Sequence, residues 1–394
     1  MNISKIEIIR DIVTLISKIN IIFSGVDDEN TKKNIIESIS ISRNVDFEVD
    51  WKDNFLQIMP KSNLDELTKY ELQIGDDINL SKKRLEFITG PYPYFSPEFF
   101  IRPEHWSICF RINADGIPEV YYSHIDRWES NTVTIAQYAL ACYDDYIKNN
   151  NENSKDIFMK QVKFLSKNNH EIGIDKIAYP YFFPFNGLQP PWYSGMAQGQ
   201  VVSVFVRAFI IADDESYLDI ARKIINFMFV PVDCGGVFTF TPEGHDWIEE
   251  YPTTPPSFVW NGFVFAVMGL IDYNKICPSH ELNEQINKFI VSIKQTINVY
   301  DTGKELYYER ENKKICNLMY IGIQTFQVKH MFLSTKDIFF DELYKKWKTY
   351  FKYDDTFLSL FYTPPRKLGF MGKLIRRLIP KKIKIFLKKL MNFK

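Results

Sequence analysis

Through the second half of the chain, apolar residues recur at three-and-four spacing, the period of a helix with one buried face. The pattern runs over residues 132–147 (TVTIAQYALACYDDYI), 197–211, 217–228, 257–273 and 282–297. It resumes at 317–331 (NLMYIGIQTFQVKHM), with Tyr320, Gln324 and Gln327 on one face. Turn-rich connectors separate these runs: NGLQPPWYSG, VDCGGVF, TPEGHDW and YDTGKEL. Helices alternating with short loops predict an all-α array of hairpins, in which loops from one end converge and can form a site. The β-type runs VFTFT and ELYYER predict short hairpins inserted between helices.

The first 85 residues break this pattern. Ile6, Ile9, Ile12, Val13 and Ile16 suit one face of an amphipathic helix. Lys5, Glu7, Arg10, Asp11 and Lys18 interrupt the run, so it reads as neither a signal peptide nor a membrane span. Polar stretches come next (SGVDDENTKK, NLSKKR). The expected division is a variable N-terminal region (1–85), a helical body (86–362) and a basic tail (363–394). At 90–102, GPYPYFSPEFFIR is too proline-rich for a central helix or strand; a cleft wall and a packed connector both fit.

In the tail, Leu374, Ile375, Leu378, Ile379, Ile383, Phe386, Leu387 and Leu390 form an apolar stripe flanked by cations, with Pro380 expected to kink it. A solubilising tail or nucleic-acid patch would need no apolar stripe. A helix lying on an anionic membrane surface would. The tail from Arg366 holds eleven Lys or Arg and no acid, so a net charge of -1 leaves about -12 on the rest. That balance excludes a general nucleic-acid binder. Five cysteines without close pairs fit neither a zinc site nor a disulfide framework, and predict reduced thiols in a cytoplasmic protein.

The 22 Tyr, 33 Phe and 7 Trp exceed what a core needs for filling, and aromatic rings with hydroxyls often line sugar clefts. Candidate chemistry concentrates in four segments. WYSGMAQGQ (192–200) opens a helix, with Trp192 and Tyr193 at its start and Gln198 and Gln200 further in; its small residues serve a ligand or a tight helix crossing equally. HDWIEEYPTTPPSFVWNG (245–262) places His245, three carboxylates and Tyr251 in a proline-stiffened loop suited to positioned acid/base groups, with a helix expected to start near Thr253 and Thr254. One of Glu249 and Glu250 is expected to be an ordinary surface acid. YDTGKELYYER (300–310) and the helix bearing Tyr320 complete the set.

In this order the segments resemble the C-terminal catalytic domain of the D-glucuronyl C5-epimerase family, over roughly residues 115–350. WYSGMAQGQ and EEYPTTPPSFVWNG are close to its signatures, YDTG before a Tyr-containing strand fits, and NTVTIAQYALACY resembles its first toroid helix, preceded by a sugar-facing loop. The resemblance implies a mainly α fold, an (α/α) toroid of helical hairpins with short inserted β-hairpins. It implies heparosan-like chemistry: inversion at C5 of glucuronate in a glycan chain by two-base proton transfer, with no cofactor and no metal. Carried over by motif, the proton-transfer residues are Glu250, Tyr251, Tyr307 and Tyr320, with Tyr308 the alternative to Tyr307. The substrate contacts are Trp192, Tyr193, Gln198, Gln200, His245, Asn261, Tyr308, Arg310 and Gln324. The family normally has histidines one and four residues after its equivalent of Tyr320; here those positions are Ile321 and Gln324.

The resemblance further implies a uronate-containing oligo- or polysaccharide as partner, and it is compatible with a homodimer. With the tail, it predicts a protein peripheral on the inner face of a prokaryotic membrane. A polysaccharide lyase would share the C5 carbanion, and a non-catalytic glycan-binding scaffold would keep only the cleft.

Overall fold

The computed structural model describes residues 2–9, 18–24, 26, 28–52, 55–75, 84–91, 94 and 110–350. The basic tail, Cys109 and most of the 90–102 segment lie outside them.

Ile6 and Ile9 lie in a strand rather than the expected helix, and Ile12, Val13 and Ile16 fall outside the described residues. Strands β1 (Asn2–Ile9) and β2 (Lys18–Ser24) form an antiparallel hairpin with Ile6 opposite Ile21. Isoleucine at so many positions satisfies the helical and the strand period alike, and its branched Cβ favours the strand. After α1 (Glu29–Ser38) come β3 (Ser40–Ile41), β4 (Phe47–Lys52), β5 (Phe55–Pro60), β6 (Lys69–Gln73) and β7 (Arg84–Ile88). These make two antiparallel sheets, ordered β1-β2-β5-β4 and β3-β6-β7. Ile19, Ile21, Ile35, Leu56, Ile58 and Leu72 form their shared core. Sheet is therefore more extensive than expected, and the N-terminal region has a core of its own.

A second meander, β8 (Phe110–Ile112), β9 (Pro118–Tyr122) and β10 (Arg127–Ser130), leads into the helical body. There α2 (Thr132–Asn149) and α3 (Glu152–Lys167) form a first hairpin. Short pairs β11 (His170–Glu171) with β12 (Ile177–Ala178), and β13 (Pro180–Tyr181) with β14 (Trp192–Tyr193), precede α4 (Gly195–Ala212) and α5 (Ser216–Met228). The hairpin of β15 (Phe238–Phe240) and β16 (Asp246–Ile248), expected from VFTFT, precedes α6 (Trp260–Ile276) and α7 (His280–Tyr300). Last come α8 (Leu318–Thr335) and α9 (Ile338–Lys348).

Helices α2, α4, α6 and α8 pack side by side, and α3, α5, α7 and α9 each pack on the preceding helix. The two central helices, α4 and α6, are buried over most of their length. They cross so closely that a Cβ on Gly269 would fall on the Gly199 carbonyl, which fixes glycine at both positions. Helix α3 escapes the apolar periodicity because its buried stripe is narrow and includes Ser154 and Gln161. Helix α6 starts at Trp260 rather than near Thr253, because Pro255, Pro256 and a left-handed Phe258 (φ 50°) delay it.

One charged pair lies wholly inside this body. The Arg207 guanidinium on α4 donates to Asp272 Oδ2 on α6 at 2.7 Å, and both residues are 0% exposed. The Ser203 hydroxyl donates to the same oxygen at 2.8 Å, and the Tyr94 and Tyr143 rings lie 5.1 and 5.6 Å from the guanidinium.

Candidate active site

The connectors that precede α2, α4, α6 and α8 meet at the end of the body where these helices begin, and two of the helix caps line a pocket there. Asn131, the cap of α2, accepts from Thr134 N at 3.0 Å; Ser194, the cap of α4, accepts from Ala197 N at 3.3 Å. Such side chains are favoured at this position because they satisfy helix-start donors. With them, Tyr122, Val133, Tyr181, Phe185, Trp192, Glu250 and Tyr251 enclose about 360 Å³ of empty space, the open mouth included.

The wall is largely aromatic. Trp192 stacks on Tyr181 (4.2 Å, 11° between planes) and lies near-parallel to Phe185 (6.1 Å). Tyr251 leans on both Phe185 (5.6 Å) and Trp192 (6.0 Å). Beside these rings, the Asn131 amide donates to the Tyr122 hydroxyl at 2.5 Å, and the Tyr181 hydroxyl donates to Asn131 Oδ1 at 3.3 Å. Flat rings, phenols and an amide around one carboxyl suit a sugar ring, with its apolar C–H face and hydroxyl rim.

Glu249 and Glu250 are both buried, at 0% and 5% exposure, so the expectation that one is a surface acid fails. They come directly after β16, and Glu249 O accepts from Gly195 N at 2.9 Å, which anchors the strand end to the start of α4. A Cβ on Gly195 would collide with Ile248 and Glu249, and one on Gly262 would fall on the Glu250 carboxyl. The small residues of both motifs thus make room for the acidic strand end and for the α4–α6 crossing.

Burial pushes the Glu250 carboxyl up to about 7, although the Tyr251 and Tyr308 hydroxyls pull it back down. Its Oε2 has no protein hydrogen-bond partner. Burial, and then the Glu250 charge, raise the phenols of Tyr251, Tyr308 and Tyr320 above their ordinary range. The Tyr308 and Tyr320 rings meet edge-on at 4.7 Å. At neutral pH these phenols therefore keep their protons, while Glu250 is poised between its two forms.

Burial also raises Glu249, to about 8. A carboxyl raised in the folded state stabilises the fold below its unfolded value of about 4.5 and loses that contribution as pH rises through the folded value. For Glu249 and Glu250 the window runs from about 4.5 to about 8. Unfolding free energy is expected to drop by on the order of 3 kcal/mol from Glu249 and about 2 kcal/mol from Glu250 between pH 5.5 and 8.5, with a matching fall in Tm. Denaturant titrations at the two pH values check this, and Glu249→Gln should remove most of the difference.

The remaining expected residues divide clearly. Tyr308, not Tyr307, joins Glu250. Tyr307 accepts Gln324 Nε2 on its carbonyl (3.2 Å) and packs its ring against the main core. Gln198 is consumed structurally, exchanging hydrogen bonds with the Tyr179 backbone (3.1 and 3.3 Å). Gln200, Asn261 and Gln324 are fully or almost fully buried and do not line the pocket. Tyr193 packs its ring on Phe227 (4.8 Å), away from its neighbour Trp192. His245 sits in the β15–β16 turn, its backbone N–H on the Thr241 hydroxyl. Arg310 is held by Glu243 through two bonds of 2.7 and 2.6 Å. These eight therefore contribute no pocket-lining side chain. Conversely, Tyr122, Val133, Tyr181 and Phe185 were not among the expected contacts; the signals were the sugar-facing loop and helix start expected around residue 131 and the aromatic, proline-broken run AYPYFFPFNG at 178–187. Among the described residues, no group of three or more His, Cys, Asp or Glu is placed to hold a metal ion.

Residues 168–349 match the family model described as the D-glucuronyl C5-epimerase C-terminus. The chain is 33% identical to the D-glucuronyl C5-epimerase of Caenorhabditis elegans over 158 residues, which is 37% of this chain and spans only 26% of that protein. It is 24% identical to the uncharacterized protein MJ1128 of Methanocaldococcus jannaschii over 288 residues, 66% of this chain and 92% of that one. Among solved structures, a sugar epimerase from a ruminal bacterium aligns at a TM-score of 0.43 and 14% identity, covering 56% of this chain and 59% of its own. Residues 168–349, which include Trp192, Glu250, Tyr251, Tyr308 and Tyr320, are thus similar to the C-terminus of D-glucuronyl C5-epimerases.

Proposed function

We propose that this chain is a carbohydrate epimerase inverting C5 of D-glucuronate residues in a glycan, with the four helical hairpins forming an (α/α) toroid. The observation that carries the reading is Glu250: a buried carboxyl near 7, with an unpartnered oxygen, on the wall of an aromatic pocket among phenols that stay protonated. Removing the proton α to a carboxylate needs a base poised near the working pH, and returning one to the opposite face needs an acid.

Glu250 takes the first role and a phenol the second. Tyr251 is the one of the three raised tyrosines that lines the pocket, so it is the nearest donor. Tyr308, which reaches both Glu250 and Tyr251, with Tyr320 behind it, forms the chain through which the proton taken by Glu250 passes back to the deprotonated Tyr251. The developing enediolate faces the N-terminal ends of α2 and α4, whose dipoles carry partial positive charge, and the Asn131 and tyrosine donors.

Incubation with a heparosan-type glucuronate glycan should yield iduronate in the product NMR spectrum. A strong ultraviolet absorbance from an unsaturated uronate would indicate the lyase instead. Binding of the glycan without either product would leave the scaffold reading.

We also propose that residues 366–394 bring the protein to an anionic membrane surface on the cytoplasmic side. The support is the apolar stripe between cations in that segment. Truncation after residue 365 is expected to abolish co-sedimentation with anionic vesicles and to spare turnover of a soluble glycan. Unchanged sedimentation would contradict it.

A further inference from the structure

Glu249 is as buried as the base beside it, yet it is not part of the pocket wall and has no role in the chemistry above. Its carboxyl is spent on the far end of the proline loop. Its two oxygens lie 3.1 and 3.3 Å from the Phe258 N–H, and the Ser257 hydroxyl donates to Oε2 at 3.1 Å. The residue so held is in the left-handed region (φ 50°), which costs a non-glycine residue roughly 1–2 kcal/mol and must be held by its surroundings. The Tyr300 hydroxyl donates to the Phe258 carbonyl at 2.7 Å and fixes the same residue through its other peptide.

The backbone immediately beyond Phe258 makes this clamp consequential. Val259 forms an antiparallel bridge with Glu309, and Trp260 N donates to the Tyr308 carbonyl at 3.2 Å. Arg310 N donates to the Ser257 carbonyl at 3.3 Å. Residues 257–260 are thus the template along which Tyr308 is laid. The Glu249 main chain is equally fixed, donating to Val237 O (2.8 Å) and accepting from Gly195 N (2.9 Å). One rigidly held residue therefore carries Glu250 on its next peptide and, through Phe258, the backbone that presents Tyr308.

We propose that Glu249 is a positioning residue that sets Tyr308 against Glu250 by holding the Phe258 N–H and the Ser257 hydroxyl. The inference rests on the reading that Glu250 and Tyr308 act in proton transfer. Glutamine can keep the oxygen that accepts from Phe258 N–H; alanine cannot.

The test uses the full chain with 3-fluorotyrosine at position 308, read by ¹⁹F NMR, in the wild type, Glu249→Gln, Glu249→Ala and Ser257→Ala. Glu249→Ala is expected to shift or broaden the 308 resonance and to lower kcat by on the order of tenfold to a hundredfold with KM little changed, as misplacement of a reacting group does. Glu249→Gln should restore the resonance and most of kcat, and Ser257→Ala should move the resonance the same way by less. An unmoved resonance in folded Glu249→Ala overturns the proposal, as does a Glu249→Gln variant as impaired as alanine. If Glu249→Ala does not fold, an unmoved resonance in Ser257→Ala overturns it. If the wild type turns over no glycan, the functional reading fails while the resonance still decides the positioning role.

Discussion

Glu250→Gln is expected to lose about a hundredfold to ten-thousandfold in kcat on a glucuronate glycan, the range a general base contributes, with KM nearly unchanged. The amide is close to isosteric with the carboxyl and fits the same space against Gly262. It cannot accept a proton from carbon. Wild-type activity should rise with pH through about 7 as Glu250 ionises, because only the carboxylate can act as the base. The residual activity of the variant should lack that limb. A pH–rate profile of both proteins checks the two statements together, and a flat wild-type profile from pH 5.5 to 8 would remove Glu250 from the role.

Arg207→Met carries the largest expected effect on stability. It strands Asp272 at 0% exposure with the Ser203 hydroxyl as its remaining donor. Breaking one side of a buried ion pair costs about 3–5 kcal/mol, because the other charge stays desolvated and uncompensated. In a body of this size that lowers Tm by roughly 10 °C. Replacing both partners, Arg207→Met with Asp272→Leu, should recover much of the loss, since an apolar pair of similar volume has no charge to bury. Denaturant unfolding of the two single variants and the double variant checks this; strictly additive losses would contradict it.

The acidic end of the site was legible because two adjacent carboxyls and a tyrosine in a proline-stiffened loop have few other uses. That both carboxyls are buried was not, since burial is decided by the approach of α4 and α6, which adjacent glycines permit but do not announce. The choice between Tyr307 and Tyr308 turned on a short bridge to Val259, where a register shift of one residue exchanges the faces. Gln198 and Gln200 looked like ligands of the cleft because they come shortly after its tryptophan; the rotation of α4 instead turns them into the packed interior. The rest of the wall, Tyr122, Asn131, Tyr181 and Phe185, comes from connectors scattered along the chain and exists only once the helices have brought them together. In the N-terminal region the isoleucine-rich run fitted either period, and pairing across a hairpin settled what local spacing could not.

The central claim is that Glu250 removes the hydrogen at C5 of a glucuronate residue. Incubating the glycan and enzyme in D₂O and following the C5 proton by NMR tests it directly. The account predicts deuterium at C5 with the wild type and exchange slowed at least a hundredfold with Glu250→Gln. Wild-type protein that binds the glycan and leaves its C5 protons intact, or a Glu250→Gln variant that exchanges them as fast as the wild type, would contradict it.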